Sequence, residues 1–339
     1  MNSIQLSICI PTYNRDKLLE ETLNSIIRQA NSNNMEKFEI CVSDNASIDS
    51  TDEIIKNIKE HTTVRINYQK NQSNLGFDLN MIQAVDMASG HYCWLLGSDD
   101  IALPGSLDFL LQQIQSGYDI YLFNRIDCDI DLKQKGKRYW LDPNINDTVY
   151  DFSDPTQFDQ YTRQATSIGA LYSFIGSDVF KRRKWLDITP EADALKSGYI
   201  HVYMLLSFLK SGCTLKYCAS HWVLARSDRA ADWVPSNEEV INRIMIDIKG
   251  YLLMSEIVKS QNQIYSDGVL RVLHAERHGF SNLKILRWRT NSVEWLNIAE
   301  IFIKAGYSPT LILIMGKLKP LISFFKVLSA MRKKLKARN

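Results

Sequence analysis

The chain of 339 residues is 45% apolar and 23% charged, enough apolar surface to bury one large core or two moderate ones and too much to be a disordered chain. Its formal net charge of +2 is unevenly spread: from Lys304 onward there are nine basic residues and no acidic one, leaving 31 basic against 38 acidic before it, or −7 for the body. Body and tail are therefore expected to meet different partners, and no nucleic-acid partner is expected for either.

Met1 to Gln5 is polar and the apolar run after it stops at Pro11, so the start does not read as a signal peptide. The six cysteines show no metal-ligand or redox spacing, and Cys9, Cys41 and Cys93 fall inside predicted strands. A cytoplasmic protein with buried free thiols is the expectation.

In chain order, Leu6 to Ile10 predicts a strand and Pro11-Thr12-Tyr13-Asn14-Arg15 a loop. Asp16 opens a helix whose Leu18, Leu19, Leu23, Ile26 and Ile27 share one face. Phe38 to Val42 is the second strand, followed by Ser43 to Ser47. Ser50 and Glu53 then have capping-box spacing ahead of Ile54, Ile55 and Ile58. Val64 to Gln69 predicts a third strand, and Asn74-Leu75-Gly76 a turn before a helix ending near Gly90. Tyr92 to Leu96, five apolar or aromatic residues in a row, predicts a strand buried on both faces that turns at Gly97 and presents Ser98, Asp99 and Asp100. A helix from about Ser106 to Ser116 and a strand from Asp119 to Phe123 follow.

This alternation predicts an α/β fold, a Rossmann-like, mostly parallel sheet flanked by helices, with ligands bound off the carboxyl ends of the strands. Three polar loops, Pro11 to Arg15, Ser43 to Ser47 and Ser98 to Asp100, can then line one crevice. Adjacent carboxylates such as Asp99 and Asp100 repel unless a cation or several donors hold them, and a hard divalent ion bridging to a diphosphate does this well. An exposed turn is the plainer reading of the same residues. Asp44 could accept from a base or ribose, or form an Asx-turn; Arg15 could fork onto phosphate, or be a solvated residue at a helix start.

PTYNR, VSDNASIDST, SNLG and GSDD, in this order and spacing, resemble the nucleotide-sugar half of family 2 glycosyltransferases with the GT-A fold. The resemblance implies that Pro11, Tyr13 and Asp44 cradle the base and ribose, that Asp99 meets ribose or metal, and that Asp100 ligates Mg2+ or Mn2+. It also puts Arg15, Asn74 and Asp78 among the nucleotide-sugar-binding residues. Ser98 stands where the usual Asp-x-Asp has its first acid, so the metal would rest on fewer carboxylates. SDNAS, NLGFDLN, YCWLLGSDD, SIGALYSFI and GYIHVYMLL, spanning roughly residues 5 to 226, are similar to abequosyltransferases, which add a 3,6-dideoxyhexose to a lipid-linked O-antigen repeat. That implies a CDP-sugar donor and a mannose of a polyprenyl-diphosphate-linked oligosaccharide as acceptor.

Arg125 to about Gln164 is polar and predicts loops covering the acceptor. Ser167 to Ile175 is apolar, and Lys181 to Lys184 is a basic run that suits phosphate or a solvated face. Gly198 to Lys210 predicts a helix stopped at Gly212. Many family members carry an acceptor-deprotonating Asp near this helix; GYIHVYMLL has no carboxylate, so His201 is the available catalytic group, a core histidine being the alternative. Without such a base, retention of anomeric configuration is favoured. A sugar lacking two hydroxyls needs an apolar wall, for which Trp94, Tyr172, Phe174 and Tyr199 are candidates. Leu215 to Arg226 predicts a returning strand, after which Arg226 or Arg229 could hold the diphosphate.

Beyond Trp233 the pattern is helical. His274 and His278 are one helical turn apart, a spacing that suits a metal or an exposed face. Leu311 to Ile314 and Leu318 to Leu328 are too short and interrupted to span a bilayer, but with Arg332 to Lys336 they suit a basic amphipathic segment lying on the inner face of the cytoplasmic membrane. The expected organisation is residues 1–125 for the nucleotide sugar, 126–232 for the acceptor and 233–339 as a helical region. No Gly-rich loop follows the first strand, which argues against a dehydrogenase and against a sugar nucleotidyltransferase; a non-catalytic carbohydrate-binding scaffold is the alternative of another class.

Overall fold

The computed structural model describes residues 4–226, 236–275 and 278–317. The N-terminal part runs β1 (Leu6–Thr12), α1 (Asp16–Ile27), β2 (Phe38–Asp44), α2 (Thr51–Glu60), β3 (Ile66–Lys70), α3 (Phe77–Asp86), β4 (Tyr92–Leu95), β5 (Ile101–Ala102) and α4 (Ser106–Gln113). Then come β6 (Ile120–Cys128), β7 (Gln134–Arg138), β8 (Thr148–Asp151), α5 (Pro155–Gln164), β9 (Asp178–Lys181), α6 (Arg182–Leu186), α7 (Ile200–Ser207) and β10 (Thr214–Arg226). Helices α8 (Asn237–Lys259), α9 (Gln263–Ala275), α10 (His278–Arg289), α11 (Ser292–Lys304) and α12 (Pro309–Lys317) complete it.

The strands form one sheet in the order β3-β2-β1-β4-β9-β6-β10-β5, with β7 added to β6 and β8 to β10. β1 is parallel to β2 and β4, β2 to β3, and β10 to β6. The parallel expectation describes the N-terminal half; beyond it the sheet is mixed, because β9 inserts antiparallel to both β4 and β6.

Strand alternation divides the core between the two faces. Leu6, Ile8 and Ile10 of β1 pack with Leu19, Leu23 and Ile26 of α1, while Cys9 faces the other way with Cys41 and Cys93. All six cysteines are buried free thiols. The second face is covered by α3, α5 and α7, and residues of α8, α9 and α11 such as Tyr251, Val269 and Trp295 belong to the same apolar cluster. The described helices α8, α9 and α11 thus share a core with the preceding part.

Three local expectations change. Ser50 makes no side-chain cap at α2; Asp49 does, its Oδ1 accepting from the Thr51 N–H at 3.2 Å and its Oδ2 from the Asp16 N–H at 3.0 Å, so one carboxylate serves the starts of α1 and α2. The stretch expected to be loops holds β7, β8 and α5, the last capped by Asp154 on the Thr156 N–H at 2.9 Å. The basic run is not wholly solvated, since Lys181 and Lys184 pair with Asp119 at 2.9 and 3.0 Å.

Among the described residues no helix is long and apolar enough to cross a membrane. Residues 227–235, with the turn around Arg229, and 318–339, with most of the expected basic amphipathic segment, lie outside the described residues. His274 is held by the Ala305 carbonyl at 2.6 Å and the Tyr307 ring, a structural role in place of a metal; the side chain of His278 is outside the described set.

Candidate active site

Parallel pairing brings the carboxyl ends of β1, β2 and β4 together, with Thr12 opposite Asp44 and Cys9 opposite Leu95. The three polar loops therefore meet at one edge. Asn14 adopts a left-handed backbone at φ 52°, its N–H donating to Ser47 Oγ at 2.9 Å while its Oδ1 accepts from the Ile48 N–H at 2.9 Å. Pro11 is buried beneath the crevice and Tyr13 stands out of it, 44% exposed.

β4 ends in a buried acid. Asp100 is 4% exposed, and burial first, then the charge of Asp99, push its carboxyl well above the ordinary carboxylate value, against the opposing pull of the Arg226 N–H, Arg125 and Arg15. Asp99 pairs with Arg15 Nη1 at 2.9 Å. Gly97 permits this packing: a Cβ there would lie 2.7 Å from Asp100 Oδ2 and 3.0 Å from Asp99 Oδ1, so both acids crowd one point. Among the described residues no group of three or more His, Cys, Asp or Glu could hold a metal ion alone. Two adjacent carboxylates, one of them short of cationic compensation, nevertheless fit an ion of the Mg2+ or Mn2+ kind, which binds through one or two carboxylates and completes its shell with phosphate and water.

Several expected ligands have other work. Asp44 is fully buried; its Oδ1 accepts from the Ser47 N–H at 2.9 Å and its Oδ2 from the Tyr68 hydroxyl at 2.8 Å, the turn-forming arrangement. Asn74 Oδ1 accepts from the Gly76 N–H and from Asn45 Nδ2, both at 2.8 Å, tying its loop to the β2 loop. Asp78 accepts from the Gly198 and Ile200 N–H groups at 2.9 and 3.3 Å, capping α7 from α3. Arg226 presents its backbone to Asp100, while its guanidinium is buried against Glu21.

His201 also moves inward. It is 2% exposed, its ring 5.8 Å from that of Tyr199 and 6.4 Å from that of Phe77, and burial pushes its pKa down to about 4. The imidazole lies by the Tyr172 and Ser173 backbone without a well-formed hydrogen bond. It is neutral at pH 7 and buried, so its setting is that of the core histidine given as the alternative. Trp94, Tyr172 and Tyr199 are core residues as well, each at most 2% exposed, whereas Phe174 is only partly buried.

Two residues near the site went unmarked in the sequence. Asn80, the second Asn of NLGFDLN, is a buried hub: Oδ1 accepts from Ser43 Oγ at 2.8 Å and Asn71 Nδ2 at 2.9 Å, and Nδ2 donates to the Ser43 carbonyl at 3.1 Å. Arg125 on β6 sends its charge toward Asp100 and is ion-paired with Asp127 at 2.9 Å. A polar residue in an apolar helical pattern was the only local signal for Asn80; an arginine on a buried strand was the signal for Arg125.

The Glycosyl transferase family 2 model matches residues 7–180. The abequosyltransferase RfbV of Salmonella typhimurium strain LT2 is 34% identical over 97% of this chain and 99% of its own. A GalNAc(5)-diNAcBac-PP-undecaprenol beta-1,3-glucosyltransferase of Campylobacter jejuni is 36% identical over 34% of this chain and 36% of its own. Among solved structures, S. aureus TarS 1-349 superposes with a TM-score of 0.61 at 16% identity, covering 96% of this chain and 87% of that one. The mannosyltransferase PcManGT of Pyrobaculum calidifontis, in complex with GDP-Man and Mn2+, superposes with a TM-score of 0.55 at 13% identity, over 94% and 88%; at such identities the likeness is one of fold. The polar strand-end loops, the acid pair at the end of β4 and the match along the chain agree: this protein is a glycosyltransferase of family 2, built on a GT-A-like fold.

Proposed function

We propose that this glycosyltransferase moves a deoxysugar, a 3,6-dideoxyhexose such as abequose, from a CDP-sugar to a mannose of a polyprenyl-diphosphate-linked O-antigen intermediate. The observation that carries this is the 34% identity to an abequosyltransferase along 97% of this chain. Residues 1–125 supply the donor side and 126–232 the acceptor side.

Tyr13 stacks on the base, with Pro11 beneath it. Asp44, Asn74 and Asn80 hold the loops that frame the ribose. Asp99 and Asp100 hold Mg2+ or Mn2+, and such an ion, when bound, neutralises the diphosphate as it leaves. Arg15 keeps Asp99 oriented, and the Arg226 amide does the same for Asp100. Neither α7, which has no carboxylate, nor Asp78, committed to the α7 N-terminus, offers a base for the acceptor. This favours retention, with His201 a positioning residue behind Ser173.

The basic tail is proposed to hold the protein at the inner face of the cytoplasmic membrane, where its acceptor lies. The test offers a panel of nucleotide sugars with a synthetic lipid-linked acceptor and assigns the product anomer by NMR. An α-linked dideoxyhexose from an α-linked CDP donor is expected. Preference for a UDP-hexose over every CDP-dideoxyhexose overturns the donor, and a β-linked product overturns retention.

A further inference from the structure

A cavity of about 420 Å3 is lined by Arg125, Arg138, Trp140, Phe174 and Arg243, with Ser167 to Gly169, Ser173, Ile244 and the carboxylate of Asp247 completing its wall. It adjoins the acid pair. Arg125 feels the charge of Asp100, and Gly176 is wedged between the two sites: a Cβ there would lie 2.7 Å from Phe174 Cε1 and 3.4 Å from Asp100 Oδ2. A molecule in the cavity is thus one residue's thickness from the strand end proposed to hold the donor diphosphate.

The aromatic wall is built rigidly. Trp140 donates from its backbone to Asn124 Oδ1 at 3.0 Å and from Nε1 to the Phe123 carbonyl at 2.8 Å. Its indole lies flat on Gly169, where any Cβ would come within 2.0 Å of Cε3. Phe174 faces it at 6.2 Å between centroids, and the Arg125 guanidinium lies 4.1 Å from the Phe174 centroid and 5.3 Å from that of Trp140.

At the mouth the character changes. Arg138 and Arg243 are 63% and 61% exposed; Arg138 shares Asp127 with Arg125, and Arg243 pairs with Asp247 at 3.4 Å. An apolar ligand would not need three arginines, and a bare phosphate would not need an indole and a phenyl ring. A sugar carrying a phosphate ester needs both, because its C–H face packs on aromatic carbon while its anionic end pairs with guanidinium.

We infer that this cavity is the acceptor subsite, with the partly buried Phe174, backed by the buried Trp140, taking the face of the acceptor sugar and Arg138 and Arg243 taking the phosphate oxygens of its diphosphate link. The inference rests on the glycosyl-transfer reading above and adds the residues that select the acceptor. It also accounts for the place of His201, which packs behind the Ser173 edge of the cavity.

Calorimetry on the full chain tests it with three probes: a mannose-containing oligosaccharide diphosphate on a short water-soluble alkyl chain, the same oligosaccharide without diphosphate, and CDP with Mg2+. The double change Arg138→Gln, Arg243→Gln is expected to weaken the first probe by about tenfold or more and leave the second unchanged, as loss of charged hydrogen bonds requires. Phe174→Ala is expected to weaken both oligosaccharides and leave CDP unaffected. Should Phe174→Ala fail to fold, Phe174→Leu removes the ring while keeping most of the volume. Weaker CDP binding in the arginine variant assigns the cavity to the donor and overturns the inference. So does unchanged oligosaccharide binding in both variants, or no binding by the wild type. Because the readout is binding, a chain that behaves as expected here yet transfers no dideoxyhexose keeps this subsite and loses only the proposed donor.

Discussion

The backbone N–H of Arg226, at the end of β10, donates to Asp100 Oδ1 at 3.1 Å across 126 residues of sequence. The acid at the end of β4 is therefore positioned by the last strand of the sheet as well as by its own turn. Coupling of this kind lets a buried carboxylate stay oriented although burial and Asp99 both oppose its charge.

Removing that acid tests the metal assignment. Asp100→Ala is expected to lower transfer by about a thousandfold or more, the scale of losing a principal electrostatic contact at the reacting charge, with the circular dichroism spectrum unchanged. Excess chelator should do the same to the wild type and abolish its binding of CDP. Full activity in chelator would sink metal dependence.

Asp78 separates ligand from scaffold. As the cap of α7 it should cost about 1–2 kcal/mol of stability when changed to Ala, read by urea unfolding, while CDP affinity is retained. A variant of wild-type stability that no longer binds CDP would return Asp78 to the nucleotide site.

The His201 pKa of about 4 predicts acid sensitivity. Between its ordinary value near 6.5 and 4 the unfolded chain binds a proton that the folded chain refuses, so this group favours unfolding increasingly as pH falls through that window. The loss amounts to roughly 3 kcal/mol at full development. His201→Leu should flatten this part of the pH–stability curve measured by urea unfolding, and an identical slope in wild type and variant would show that the imidazole titrates normally.

The tail can be removed only at a defined point. Ile312 and Met315 of α12 are 3% and 2% exposed, and Arg287 donates to the Gly316 carbonyl at 2.9 Å, so cutting near Thr310 would open the helical core. A chain ending at Lys317 should keep its thermal transition and lose most of its sedimentation with anionic vesicles, slowing transfer to a lipid-linked acceptor more than to a short soluble one. Equal vesicle binding with and without residues 318–339 would remove the tail from the proposal.

Apart from the two-residue β5, the order of elements from β1 to α4, the strand-end loops and the acid pair at Asp99 and Asp100 were legible in the sequence, because apolar period and Gly turns act over a few residues. The family motifs lie in that same half, where each loop directly follows its strand. Tertiary structure alone decided the partners of isolated polar residues: Asp78 caps a helix more than a hundred residues away, Asp49 displaces the Ser50 cap, and His201 turns into the core. It alone placed β9 antiparallel inside the sheet, and it alone put Arg125, Trp140 and Phe174 around one cavity. Periodicity records how much of each element is buried, whereas a hydrogen bond or ion pair depends on which distant group arrives opposite it when the sheet closes.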